Sequence, residues 1–384
     1  MHITYVYDVD VPSRQAAPIQ ILHTARALCE RGASVRVLVR SVTAPSEAEA
    51  LAAYGLDPHP RLGLAAFPLH GWARLTLHRR LRAALQAVPA GARHVVLSRG
   101  EPGLALFAHL RRLRGVPPVR RVYEAHRLCF TEVAGRHAPR LPLLRGRGVA
   151  RAEARVRRLE RAAVEGADGL VCLTRGVQVA LADLFDVTAP VLILPSGTAL
   201  PDAPPLPLAA RDLDVFYAGK LRRRKGVFDL VAAMRHLPGR RLHVAGGTPV
   251  EVEALRRHAA AHGVGERVEL LGRVAPAAVG ALYRRARVGV CPLPTGESAI
   301  SERFTSPLKV LEMMAHGVPV VATDVPAIRE LLDPGRTALL VEPDRPERLA
   351  AGIRTLLEDA GLSARLTRAA RAEVERYAWP CRAR

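Results

Sequence analysis

The chain's 384 residues exceed the roughly 250 to 300 at which a single core stops growing, so two domains of roughly 190 residues each are expected. Hydrophobic residues make up 49% and aromatics only 4%, which fills interiors with Ala, Leu and Val and argues against a protein that stacks on nucleic-acid bases. The net charge of +21 raises a polyanion partner, yet only three of the 57 basic residues are lysines, so a composition that favours Arg wherever either cation serves accounts for much of the charge as solvated faces.

The opening MHITYVYDVDV reads as a first strand and not as a signal peptide, because it has no basic n-region, long apolar h-region or small-residue cleavage site. No apolar run approaches the ~18 to 20 residues of a membrane span, so a cytoplasmic chain, either free or peripheral on the inner face of a membrane, is expected. A helix follows over 18–31, where Pro18 suits a first turn, Ile19, Leu22 and Ala25 recur at helical spacing, and Gly32 supplies the stop. Further strands are expected near 34–40, 93–98, 119–124, 168–173 and 190–195. Residues 198–212, with four prolines and no periodicity, read as a linker. The alternation restarts at 213–218, 240–245, 267–271, 287–292, 318–323 and 337–341. Strands alternating with helices predict an α/β fold of two doubly wound parallel-sheet domains facing across an interdomain cleft, where such sheets hold ligands. The five cysteines, Cys29, Cys129, Cys172, Cys291 and Cys381, are scattered and mostly inside apolar runs, which fits reduced thiols; no metal site is expected.

The three lysines, Lys220, Lys225 and Lys309, all lie in the second half, beside glycine turns or a helix start. A compact ammonium is not equivalent to a guanidinium fork, so lysines that persist in this background mark places that need a point charge. In FYAGKLRRRKG, residues 216–226, a strand ends at Gly219 and a helix is expected after Gly226, which combines close backbone approach, unpaired N–H groups and two ammonium groups. In RFTSPLKVLEMMAHGVPVVATDVPAIREL, residues 303–331, Ser306 is read as the N-cap, Pro307 and Lys309 stand in the first turn, and Gly317 and Pro319 close the helix. A cation in a first turn opposes the helix dipole by ~0.3 to 1 kcal/mol. Either an anion between them or an ion pair with Glu312, three residues on, compensates it.

The segments AGKLRRRKG, LHVAGGTP, VELLGRV and PLKVLEMMAHGVPVVATDVPAIREL, in this order, resemble the C-terminal domain of the family 4 retaining glycosyltransferases of GT-B fold, the group 1 glycosyl transferases. PIQILHTARALCERGASVRVL, SRGEP, VYEAH, ERAAVEGADGLVCLT and LPSGT extend the likeness into the first half, and the terminal ERYAWPCRA looks like the family's end helix. The resemblance implies an acceptor-side domain over 1–198, a linker at 199–212, a donor-binding domain over 213–361 and a helix at about 362–384 that packs back onto the first domain.

It further implies transfer of a hexose-type sugar from a nucleoside-diphosphate sugar, with UDP favoured over GDP, to an acceptor that is a glycan, a lipid or a small molecule, with retention of configuration. Lys225 matches the family lysine on the donor diphosphate. Lys220 stands where an arginine is usual. Gly219, Gly246 and Gly247 match the glycine turns, Arg273 and Val274 the stretch facing the nucleobase, and Thr305, Ser306, Pro307, Leu308 and Lys309 the donor loop. Glu312 matches the second glutamate of an E-x(7)-E motif, which binds the ribose. The first glutamate is replaced by Phe304, with Glu302 and Glu297 in the preceding loop as substitutes. His126 matches the histidine placed near the reacting centre, and Glu124 is read as structural. The paired glycines usual after the first strand are missing; Ser13, Arg14 and Gln15 occupy that loop, and Arg99 is placed to meet an acidic acceptor.

No cofactor or essential metal is expected, since no Asp-x-Asp motif is present and the lysines supply positive charge. The Arg-dense stretch 136–161, nine arginines against Glu153 and Glu160, is the candidate contact for an anionic membrane surface; no specific nucleic acid is expected. The rival readings are an epimerase or phosphorylase on the same scaffold, a catalytically dead sugar binder, and a basic nucleic-acid-binding protein.

Overall fold

The structure, a computed structural model, describes residues 1–13, 15–69, 76–89, 91–110, 113, 115–132 and 145–384. The chain divides into two compact units, Met1–Pro195 with Ala383–Arg384, and Ser196–Arg382. The proline-rich segment and nearly all of the final helical stretch therefore belong to the second unit.

In the first unit the strands are β1 (His2–Val11), β2 (Ser34–Val42), β3 (Leu62–Ala66), β4 (His94–Arg99), β5 (Arg120–Ala125), β6 (Gly169–Cys172) and β7 (Val191–Ile193). They form one sheet in the order β3-β2-β1-β4-β5-β6-β7, with every neighbouring pair parallel. The chain runs outward from β1 to β3, returns past β1 to β4, and so leaves a switch point at the carboxyl ends of β1 and β4. Strand β3, LGLAA, is a finding, because its one large alternation and its flanking prolines carry no strand signal of their own; pairing with β2 holds it. The helix Ala16–Glu30 covers the sheet with Ile21, Leu22, Ala25 and Cys29, which meet Tyr5, Val37 and Val39 in a common core. It stops where Gly32 takes φ +92°, a left-handed conformation that suits glycine.

The second unit repeats the plan with β8 (Leu213–Ala218), β9 (Leu242–Ala245), β10 (Val268–Gly272), β11 (Ala286–Cys291), β12 (Val320–Thr323) and β13 (Leu339–Val341), in the order β10-β9-β8-β11-β12-β13, again all parallel. Alternation along β8 sends Val215 and Tyr217 into one hydrophobic core and Phe216 into the other, so both faces of the sheet are covered. The switch point here lies at the ends of β8 and β11, where Gly219 and Pro292 follow. Arg211, buried before β8, donates to the carbonyls of Leu206, Ala286 and Gly317 and thereby ties the proline-rich segment to the sheet.

Among the described residues no helix is long and apolar enough to cross a membrane.

Candidate functional site

Both lysine-bearing loops open at the second sheet's switch point. Strand β8 runs through Tyr217 into Gly219, whose φ of +150° lies outside what side-chain-bearing residues favour. A Cβ on Gly219 would come within 2.9 Å of Lys309 Nζ. One on Gly246, after β9, would lie 2.0 Å from the Gly219 carbonyl oxygen, so the two strand ends touch backbone to backbone. Gly226, at φ +70°, closes the single turn Arg223–Lys225 so tightly that a Cβ would sit 1.4 Å from the Pro292 carbonyl oxygen. These glycines bring the Lys225 loop against the end of β11.

Lys309 sits in the helix Leu308–Ala315, and its Nζ stacks 3.7 Å from the centroid of the Tyr217 ring. That nitrogen is buried and has no hydrogen-bond partner. Among the described residues no ion pair joins it to Glu312; the ammonium lies against a π face, and such a face only partly replaces water. Burial pushes the Lys309 ammonium down to about 8. Lys225 is likewise pushed to about 8, first by burial and then by the Lys309 charge beside it. Lys220 is the exposed member, lowered by partial burial and by Arg222 and Arg224. The Tyr217 hydroxyl donates to the Lys220 carbonyl at 3.0 Å, so one aromatic side chain supports both loops. The result is a concentration of positive charge with no protein anion on Lys309, which is what a diphosphate requires.

The sequence reading of the helix start needs correction. Ser306 is not the N-cap: Pro307 holds that position, with no side-chain cap bond, and Leu308 is the first helical residue. Ser306 instead accepts from the Ser196 N–H at 3.0 Å through its Oγ and from the Ser196 hydroxyl at 2.8 Å through its carbonyl, which fastens the helix entry to the chain before the proline-rich segment. No side chain caps the helix, and of its first N–H groups that of Val310 donates to the Pro307 carbonyl at 3.0 Å. Thr305 and Leu308 are half-buried beside it. Phe304 is buried, and its ring adds to the interior and supplies no polar group. Glu302 accepts from the Gly296 N–H at 3.3 Å, and Glu297 is exposed.

Glu312 follows on the same helix; burial raises its pKa, against the opposing effects of the Tyr283 hydroxyl and the Lys309 ammonium. Gly247 is left-handed at φ +86° and packs on Leu221, and its carbonyl accepts from Arg273 Nε at 3.2 Å. Val274 packs, half-buried, against the core beneath.

In the first unit, His126 follows β5 with its Nε2 2.9 Å from Glu124 Oε1. Arg99, at the end of β4, is buried, not exposed to a ligand; its guanidinium lies 4.9 Å from the Tyr7 ring centroid and donates to Gln20 at 3.4 Å. Nothing in the sequence distinguished it from the chain's many solvated arginines. Ser13 is fixed by Tyr54, whose hydroxyl accepts from its N–H at 2.5 Å and donates to its carbonyl at 3.0 Å. Gln15 is exposed, and Arg14 lies outside the described residues. Of the Arg-dense stretch, the helix Arg145–Glu165 is described; residues 136–144 lie outside.

Residues 212–359 match the family model described as glycosyl transferases group 1. A glycogen synthase of Mycobacterium tuberculosis is 29% identical over 54% of this chain and 50% of its own length, so the chain spans about half of that relative. A D-inositol 3-phosphate glycosyltransferase of Mycobacteroides abscessus is 28% identical over 94% of this chain and 81% of that protein. Among solved structures, sucrose-phosphate synthase from Thermosynechococcus elongatus superposes with a TM-score of 0.73 at 21% identity, covering 100% of this chain and 96% of that one. Anabaena HepE in complex with UDP and glucose gives 0.69 at 16%, covering 98% and 95%. The chain has the GT-B architecture of two Rossmann-like parallel-sheet domains and is related to the glycosyltransferases that share it.

Proposed function

We propose that the chain is a retaining glycosyltransferase that moves a hexose-type sugar from a nucleoside-diphosphate sugar, UDP before GDP, to a hydroxyl acceptor. The observation that carries this reading is the buried Lys309 ammonium, which has no acceptor of its own, beside Lys225 at the switch point of the second sheet. A ligand bearing phosphate oxygens completes both groups. HepE, a structural neighbour, holds UDP and glucose, which supports the choice of base.

In the transfer, the acceptor oxygen bonds to the anomeric carbon on the face from which the diphosphate leaves, and the carbon–oxygen bond to the β-phosphate breaks. The acceptor proton passes to the leaving diphosphate. Negative charge grows on that group in the transition state, and Lys220, Lys225 and the uncapped start of the Leu308–Ala315 helix stabilise it there more than in the ground state. Glu312 takes ribose hydroxyls, the 273–274 backbone faces the base, and His126, after β5, is proposed as a catalytic residue. The lysines supply the charge that a metal supplies elsewhere, so no essential metal is proposed.

Arg151, Arg155 and Arg158, exposed along one face of the Arg145–Glu165 helix, are proposed to meet an anionic membrane surface, which fits a lipid-linked acceptor and a peripheral cytoplasmic location. The decisive experiment is a thermal-shift panel of UDP, GDP and ADP, followed by turnover of sugar donors carrying the base that binds. A raised melting temperature with UDP and sugar release to an acceptor are expected. Equal indifference to all three nucleotides would end the proposal, and epimerisation without acceptor would replace it.

A further inference from the structure

Among the described residues, Asp344 is the one non-glycine whose backbone is left-handed, at φ +58°. It stands exposed between β13 and the helix Pro346–Glu358, where a glycine would take the same conformation without strain. What a glycine lacks is the carboxylate, and that group is aimed at Thr295. The Thr295 N–H donates to both carboxylate oxygens, at 3.1 and 3.3 Å, and the Thr295 hydroxyl donates to one of them. A strained backbone in an exposed loop, spent on placing a side chain, points to function at the place that side chain holds.

Thr295 opens the polar turn Thr295-Gly296-Glu297-Ser298, which lies between β11 and the π-helical turn Ile300–Phe304. Glu302 accepts from the Gly296 N–H at 3.3 Å, and the Thr323 hydroxyl donates to the Leu293 carbonyl at 2.6 Å, so the segment is also tied on either side of Thr295. It joins the two lysine-bearing elements. At its start the Pro292 carbonyl rests against Gly226, next to Lys225; at its end Thr305 leads into the helix of Lys309. Asp229, in the helix Val227–Ala233 that follows Lys225, lines one small cavity with Pro292, Thr323 and Asp344. Burial, and then the Asp344 charge, hold the Asp229 carboxyl above its ordinary range. In a nucleoside-diphosphate sugar the sugar is bonded to an oxygen of the β-phosphate, so a diphosphate on Lys225 and Lys309 brings sugar hydroxyls within reach of this segment. We propose that Asp344 is a positioning residue for the sugar half of the donor: its clasp on Thr295 holds the polar turn where it receives sugar hydroxyls, while the nucleotide half is held without it. The inference rests on the transferase reading and deepens it.

The test uses the full chain, the nucleotide that raises its melting temperature and the sugar donor of that nucleotide. Asp344→Gly relieves the strained backbone and removes the clasp together. Its melting temperature is expected within about 3 °C of the parent's, its nucleotide Kd within about twofold, and its kcat/KM for the donor about 10- to 100-fold lower, the range spanned by one hydrogen bond to a charged group. Asp344→Asn keeps an accepting oxygen on a side chain that tolerates the same backbone, so it recovers most of the turnover. The double variant Asp344→Gly with Thr295→Val falls no lower than Asp344→Gly, because both changes act through one clasp. Independently of activity, amide exchange across 295–304 is expected to quicken in Asp344→Gly and to keep the parent's rate across 216–226. Parent kcat/KM in Asp344→Gly, a melting temperature lowered further than stated, nucleotide affinity lost in step with turnover, additive losses in the double variant, or unchanged exchange across 295–304 would each overturn the proposal. If no donor is turned over, the transferase reading falls by itself, and the exchange rates still decide whether Asp344 holds the turn.

Discussion

The Lys309 ammonium and the Tyr217 ring face each other at 3.7 Å, with the positive head out of water and no oxygen to receive its protons. Such an arrangement is a debt in the free protein and an asset once an anion arrives. Lys309→Met keeps the length and the contact with the ring and removes the charge. We expect this variant to melt roughly 3 °C or more above the parent at pH 7, the shift that relief of about 1 kcal/mol brings in a unit of this size, and to lose the thermal shift with UDP. Scanning calorimetry with and without the nucleotide reads both.

A pH dependence follows from Lys225 and Lys309, both held near 8, below the ordinary lysine range near 10.4. Their folded values are depressed, so between about 8 and about 10.4 the unfolded chain binds more protons than the folded one, and these groups make the free protein more stable as pH rises across that window. Nucleotide binding has the opposite sign. Affinity is expected to fall as pH rises through about 8, and the complex to take up protons when formed there. Titration calorimetry in buffers of different ionisation enthalpy measures that uptake; none at pH 8.5 would contradict the assignment.

Gly226→Ala combines a left-handed backbone with a Cβ that would overlap the Pro292 carbonyl. A loss of about 3 kcal/mol or more is expected in denaturant unfolding, larger than an ordinary surface substitution gives. Gly239→Ala, also left-handed at φ +73° but with nothing near its Cβ, isolates the backbone strain and is expected to cost about 1 kcal/mol.

Charge reversal of the helix face, Arg151→Glu with Arg155→Glu and Arg158→Glu, is expected to abolish flotation with vesicles containing anionic lipid. Each basic residue near such a surface contributes about 1 kcal/mol, and the effect fades with salt. Nucleotide-induced thermal shift in the same variant is expected to match the parent. Flotation that is equal with neutral lipid would count against the anionic surface.

Much of the architecture was legible because buried parallel strands announce themselves as short apolar runs; LDVFYA and RVGVCP are strands for that reason. β3 escaped because LGLAA draws its extended form from β2 and not from its own side chains. The lysines stood out by rarity, but the local pattern Thr305-Ser306-Pro307 suggested a cap, whereas Ser306 is claimed by Ser196, 110 residues away in sequence. Arg99 and Glu124 were unreadable for the same reason. Whether an arginine is solvated or walled in depends on partners such as Tyr5, Tyr7 and Gln20, which adjacent strands and a helix bring to it.

The bare backbone at Gly219 gives the head of Lys309 its room. A guanidinium is broader than an ammonium, so an arginine at 309 would press harder on the strand end at 219 than the lysine does. The two positions are thereby tied: a larger residue at 219 evicts the lysine, and a larger cation at 309 requires the strand end to open. Any lineage that exchanged one would have to rebuild the other, and the turn following β8 is where such paired changes would be sought.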